Sequence, residues 1–235
     1  MEQLSFIDKD DLKRDFDQDI REIKASTDRE AFQLFRKELF FALLNKSTQK
    51  YRIIDQAIQQ AKEKGLSYVL CKVSDAARRF HRLAREVGAE RYRATAFIRL
   101  QPIDQQKVLF GEFEIKHQTG EMIMLHFMKR FPRFNIMIVF GEEVYIGRNK
   151  EIYREKIDPA CRQAGEKMGL SPAIKDEYEK YWLAFYRSQF IPERKNLRYL
   201  KRMIPKKYWK WVTELKEFNL LCSTNAANGA LENKR

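Results

Sequence analysis

Residues 194–211 read RKNLRYLKRMIPKKYWKW, a run in which bases alternate with aromatic rings. Arg194, Lys195, Arg198, Lys201, Arg202, Lys206 and Lys207 supply cations, and Tyr199, Tyr208, Trp209 and Trp211 supply flat faces. Cations neutralise phosphates and release their counterions, while aromatic faces stack on exposed bases. Both in one short segment suit single-stranded or distorted nucleic acid. The competing expectation is that the rings, Trp209 above all, anchor short helices on a core while the lysines reach outward.

A second basic row lies upstream. Ser74 caps a helix expected to end at Gly88, with Ala77, Phe80, Leu83 and Val87 facing inward. Arg78, Arg82 and Arg85 recur at i, i+4 and i+7 on a different stripe, with no carboxylate four residues before them in that row. The window 78–99 holds seven arginines against two glutamates, and the window 187–210 holds nine bases against one glutamate. Together they carry the whole net charge of +13. Solubility alone gives no reason to gather charge in two places; a polyanion partner does. A solvated face of two helices is the plain alternative.

A third constellation could move protons. Glu112 and Glu114 stand two apart on a strand, so they share a face, and His117 follows directly. Paired carboxylates with a histidine can serve as acid and base, although ordinary solvent-facing strand residues are the stronger expectation. Glu114, His117 and His126 are the candidates if the chain is an enzyme acting on DNA. His81, His117 and His126 form no HxxxH or HExxH, so no metal site is expected. Phosphate-binding loops, dinucleotide fingerprints, nucleophile elbows, kinase signatures and deaminase zinc motifs are all missing, and no cofactor is expected.

These groups need elements to hold them. The first 26 residues promise one helix, over about 11–24. Thr27-Asp28 opens a stronger one with Phe32, Phe35, Leu39, Ala42 and Leu43 on its buried stripe. Ser47 or Thr48 caps another, lined by Tyr51, Ile54, Ala57, Ile58 and Ala61 and ended by Gly65. After Gly88 the period changes to two. Strands are expected over about 94–101 and 107–115, then a helix over about 119–131 stopped by Pro132. Strands over 135–140 and 144–147 complete a ββαββ unit around the turn Gly141-Glu142-Glu143. From Asp158 onward the pattern is helical. Asp158-Pro159 and Ser171-Pro172 are starts, and a core helix carries Tyr178, Tyr181, Trp182, Phe185, Tyr186 and Phe190. Pro192 and Pro205 start two short helices.

The fold class expected is α+β: a small antiparallel sheet of about four strands between N-terminal and C-terminal helical layers. The organisation expected is a helical region over 1–73, an α+β core with basic C-terminal helices over 74–215, and a disordered tail over 216–235. The length is ample for a core without disulfides or metals. Cys71, Cys161 and Cys222 are odd in number and unpaired in spacing, which suits a reducing cytoplasm. No run of 18 apolar residues and no apolar leader is present, so no membrane partner is expected.

Three blocks, at 80–100, 110–140 and 181–211, resemble an uncharacterised bacterial family of DNA metabolism or repair proteins. Its members are associated with a radical SAM DNA-modification or repair protein, and some are fused to a uracil-DNA glycosylase domain. The resemblance points to His81, Arg82, Arg85 and Glu86, to Phe97 and Arg99, to Glu114 and His117, and to His126, Phe127, Arg130, Phe131 and Pro132. In the last block it points to Arg194, Asn196, Arg198, Lys206, Lys207, Tyr208 and Trp209. Ile115-Lys116 stands where the family has Pro-Asp, and Leu197 where it has Pro. The family's opening motif is not recognisable in residues 1–70. What the resemblance implies is a DNA-binding accessory to a partner enzyme, a radical SAM protein or a uracil-DNA glycosylase. An enzyme acting directly on DNA and an RNA-binding module are the alternatives.

Overall fold

The computed structural model describes residues 16–25, 27–103, 107–157, 179–191, 194, 196–212 and 215. The expected helix starts at Asp158, Ser171 and Pro192 and the expected tail after 215 lie outside these residues. The chain divides into two compact units, one formed by 1–96 with 114–130 and the other by 97–113 with 131–235.

The first unit is helical: α1 (Phe16–Ala25), α2 (Arg29–Leu43), α3 (Lys50–Lys64), α4 (Leu66–Leu70), α5 (Asp75–Phe97, all but its last residue) and α6 (Gly120–Arg130). Asp28 opens α2, its carboxylate accepting the backbone N–H groups of Glu30 at 3.0 Å and Ala31 at 3.3 Å. Phe32, Phe35, Leu39, Ala42 and Leu43 are buried on α2, as their spacing predicts. Lys50, itself buried, donates from Nζ to the Leu43 carbonyl at 2.7 Å and so satisfies an orphan acceptor at the end of α2. Gly65 ends α3 at φ +82°, open to glycine at no steric cost. Phe35 and Phe80 join α2 to α5 with ring centroids 5.6 Å apart. Beside them His81 Nε2 donates to the Val69 carbonyl at 3.0 Å while Nδ1 faces the Glu38 carboxylate. Lys62 ties α3 to α1 through Asp19 at 2.6 Å and Glu22 at 2.9 Å.

Helix α5 corrects the sequence expectation. It runs unbroken through Gly88 to Phe97, where a helix end at Gly88 and a strand from Ala94 were expected. Gly88 weakens a helix interior without breaking it. The apolar stripe also seemed to stop after Val87, because its next buried member is the charged Glu90, followed by Ala94. A Cβ at Gly88 would meet no atom within 4 Å. Gly88→Ala is therefore expected to stabilise the chain by about 0.5–1 kcal/mol. A chemical-denaturation midpoint that fails to rise would show the glycine to be needed.

The second unit holds a five-stranded sheet in the order β1-β2-β3-β4-β5: β1 (Gln101–Ile103), β2 (Val108–Phe113), β3 (Asn135–Phe140), β4 (Glu143–Arg148) and β5 (Glu151–Lys156). The α+β class stands, with one strand more than expected and one pairing of the other sense. Strands β2 and β3 run parallel, Val108 opposite Asn135 through Phe113 opposite Phe140, and the other three pairings are antiparallel. The connection between β2 and β3 contains α6, and a connection of that length can carry the chain back to start in the same direction. Leu109, Gly111 and Phe113 share the buried face of β2, as alternation predicts. Strand β5 escaped the sequence reading because it is an almost wholly exposed, charged edge. Its hairpin turn, Asn149-Lys150, has φ of +52° and +69°, and Glu143 and Arg154 pair across the strands at 2.5 Å.

Past the sheet come α7 (Glu179–Gln189), α8 (Leu197–Met203) and a 3-10 turn (Lys206–Trp211). Tyr208 is 1% exposed, stacked on Phe113 at 5.1 Å and 9° and lying 5.7 Å from Phe97. Trp209 donates its indole N–H to the Ile204 carbonyl at 2.8 Å. Helix α7 is not the core helix its aromatics suggested: Tyr181, Trp182 and Phe185 are 63%, 47% and 55% exposed. No described helix is long and apolar enough to cross a membrane.

Candidate nucleic-acid interface

Helix α8 forms locally. Asn196 caps it, its Oδ1 accepting the Tyr199 N–H at 2.8 Å, so this asparagine has a structural task. The helix presents Arg198, Lys201 and Arg202 to solvent, with Arg194 before it and Lys206 after it also exposed. None of these five cations has an ion pair or side-chain hydrogen bond with another described residue. The side chains of Lys195 and Lys207 lie outside the described residues. Tyr208, expected to contact nucleic acid, is instead a core residue, because a ring sealed under Phe113 and Phe97 cannot stack on a base. The anchoring role thus holds for Tyr208, Trp209 is part-buried with its indole N–H on the Ile204 carbonyl, and Tyr199 is 59% exposed and keeps the other role open.

The arginine row on α5 separates into two kinds. Arg78 is engaged: Nη1 donates to the Lys72 and Val73 carbonyls at 3.2 and 3.1 Å, and Nη2 meets Asp75 at 2.7 Å. The same guanidinium holds the Asp75 carboxyl below its ordinary range. The carboxylate missing four residues upstream is present at three. Arg82 and Arg85 are exposed and carry no ion pair among the described residues. Arg99 and Arg130 are exposed as well.

The acid–base candidates do not form an exposed site. Glu114 is exposed, but His117 is 6% exposed and its ring and backbone serve the fold. Its Nδ1 accepts the Lys46 N–H at 3.3 Å, which places the ring proton on Nε2. Its backbone N–H donates to Glu90 Oε1 at 2.9 Å. Glu90, 4% exposed, also accepts the Lys116 N–H at 2.7 Å and the Thr119 hydroxyl at 3.1 Å. Alongside, Asn45 Nδ2 donates to the Leu83 carbonyl at 3.1 Å and to Glu86 at 3.3 Å, and Gln118 N–H donates to the Leu44 carbonyl at 3.0 Å. Glu90, Asn45 and Thr119 thus form a buried polar hub that binds α5, the loop after α2 and the turn before α6. Sequence reasoning missed all three. The legible signal was a glutamate at helical spacing between Val87 and Ala94, a buried position that a carboxylate takes only when its oxygens are satisfied.

His126 lies half-buried on α6, one turn before Arg130. Burial first, then the Arg130 and Arg91 charges, hold its imidazole below the ordinary range. The unfolded chain therefore takes up this proton before the folded one. The stability at stake is whole above the ordinary imidazole value and declines as the pH falls through it toward the depressed one. An NMR titration should place the His126 midpoint below that of a free imidazole, and Arg130→Gln should move it up. A bound phosphate beside the two arginines should move it up further; an unmoved midpoint on DNA addition would exclude this face from the interface.

Taken together, these features define a mixed α+β protein with a basic helical end and a polar hub built for structure. Residues 45–214 match a protein family described as a domain of unknown function, DUF4130, and the chain belongs to that family. No curated protein and no solved structure matches the chain.

Proposed function

We propose that the chain binds nucleic acid, with DNA as the polyanion, as an accessory to a partner enzyme. The observation that supports this most is the row Arg194, Arg198, Lys201, Arg202 and Lys206: five exposed cations around one short helix, uncompensated among the described residues. A row kept only for solubility would be interleaved with acids, as β5 is. The choice of DNA, and of a radical SAM enzyme or a uracil-DNA glycosylase as partner, rests on the resemblance of the three sequence blocks. The accessory role rests on the same resemblance, and the use of His117 in the fold removes one acid–base candidate from the competing enzyme reading.

The test is a titration against duplex DNA, single-stranded DNA and RNA of one length at two salt concentrations. If about five phosphates are neutralised, log K for duplex DNA should fall with log salt at a slope of about −4 to −5. A flat salt response, or no binding at low salt, would reject the reading. Tighter binding to RNA than to either DNA would replace DNA by RNA.

A further inference from the structure

The second unit contains an open groove of about 360 Å³ where the end of α7 meets the start of α8. Tyr186, Phe190 and Tyr199 supply its aromatic walls, and Gln189, Arg194 and Asn196 its polar groups. We propose that this groove receives one unstacked nucleobase of a single-stranded or locally opened DNA. The inference rests on the nucleic-acid reading above and adds the form of the substrate.

Size comes first. The volume is at the small end of ligand pockets, which run from roughly 300 to 1,000 Å³. It suits one base and excludes a duplex, whose bases turn only their edges outward. Chemistry comes second. Every nucleobase has a π-face, and three rings, Tyr186 on α7, Phe190 just past its end and Tyr199 on α8, offer faces for stacking without demanding a sequence. The Tyr186 and Phe190 rings are 6.5 Å apart at 44°, and Tyr199 stands 59% exposed. Gln189 adds an amide that can meet a base edge, and Asn196 keeps its amide hydrogens after Oδ1 caps α8. Charge comes third. Arg194 lines the groove, and Arg198, Lys201 and Arg202 follow on the exposed surface of α8. An apolar peptide or a second copy of this basic chain would gain nothing from that rim. A phosphodiester strand would gain most. Trp182 and Phe185, exposed on α7 before the groove with rings 5.8 Å apart, extend the aromatic surface along which a strand could lie.

The experiment uses the full chain and three probes: a single-stranded oligonucleotide bearing one 2-aminopurine, its perfect duplex, and the same duplex with the analogue opposite an abasic site. The single strand and the abasic duplex should bind more tightly than the perfect duplex at equal salt, with the analogue's fluorescence changing on binding. Tyr199→Ala should weaken binding of the first two by about 5- to 150-fold, the range for one lost stacking contact. It should leave the perfect duplex and the salt slope unchanged. Tyr199→Phe should restore wild-type binding, since it keeps the ring and removes the hydroxyl. Binding of all three probes that is indifferent to Tyr199→Ala would overturn the groove assignment and leave the nucleic-acid reading standing. No binding of any probe at low salt would reject both. A concentration-dependent dimer abolished by Tyr199→Ala would replace the base by a second copy of the chain.

Discussion

Glu90→Ala is expected to lower the stability of the helical unit by about 3–5 kcal/mol, among the larger effects for one substitution. The carboxylate accepts two backbone N–H groups and one hydroxyl at a site only 4% exposed. Removing it leaves those donors without partners away from water, at roughly 1–3 kcal/mol each. Thermal unfolding should begin about 10 °C lower. Hydrogen exchange should quicken at the amides of Lys116 and His117 ahead of the rest of the unit. Glu90→Gln keeps one acceptor oxygen and turns an amide against the N–H groups, so it should lie between the two, at about 1–2 kcal/mol. A loss under about 1 kcal/mol for the alanine variant would mean that the 114–119 turn holds itself.

Replacing Arg198, Lys201 and Arg202 together by glutamine should cost DNA affinity about 100-fold at low salt, on roughly 1 kcal/mol for each lost phosphate contact. The salt slope should shrink by up to about 2.7, since each contact contributes about 0.9. The melting temperature should hardly move, because exposed charges without partners contribute little to stability. Arg82 and Arg85, which belong to the other unit, form the companion set, and Arg78 is left in place because it holds the turn before α5. Equal losses from both sets would assign both rows to one binding event. Loss from the α8 set alone would leave the α5 row to a protein partner or to solvent. An unchanged affinity for both would reduce the concentration of charge to a solvated surface.

What could be read along the chain was whatever depends on near neighbours. Periodicity predicted the buried stripes of α2 and α3, because the residues three and four apart are the ones that share a helix face. Alternation predicted the buried face of β2 for the same local reason. Capping at Asp28 and Ser74 and the stop at Gly65 are contacts within a few residues, and the structure has them where expected. The two basic rows were plain from residue type alone.

What depended on distant partners was hidden. The buried stripe of α5 seemed to stop after Val87 and in fact continues through Glu90 to Ala94, because the groups that satisfy the Glu90 carboxylate stand 26 to 29 residues away. Strand β5 has no inward face to betray it and exists because β4 pairs with it. The parallel pairing of β2 with β3 follows from a return path through α6, which no strand pattern records. His117 looked poised for proton transfer until its ring met the Lys46 N–H, 71 residues distant. Tyr199 and Tyr208 are the same residue type nine positions apart. Packing against Phe113 and Phe97 sealed one and left the other open beside the groove, a choice made by burial, which only the tertiary structure contains.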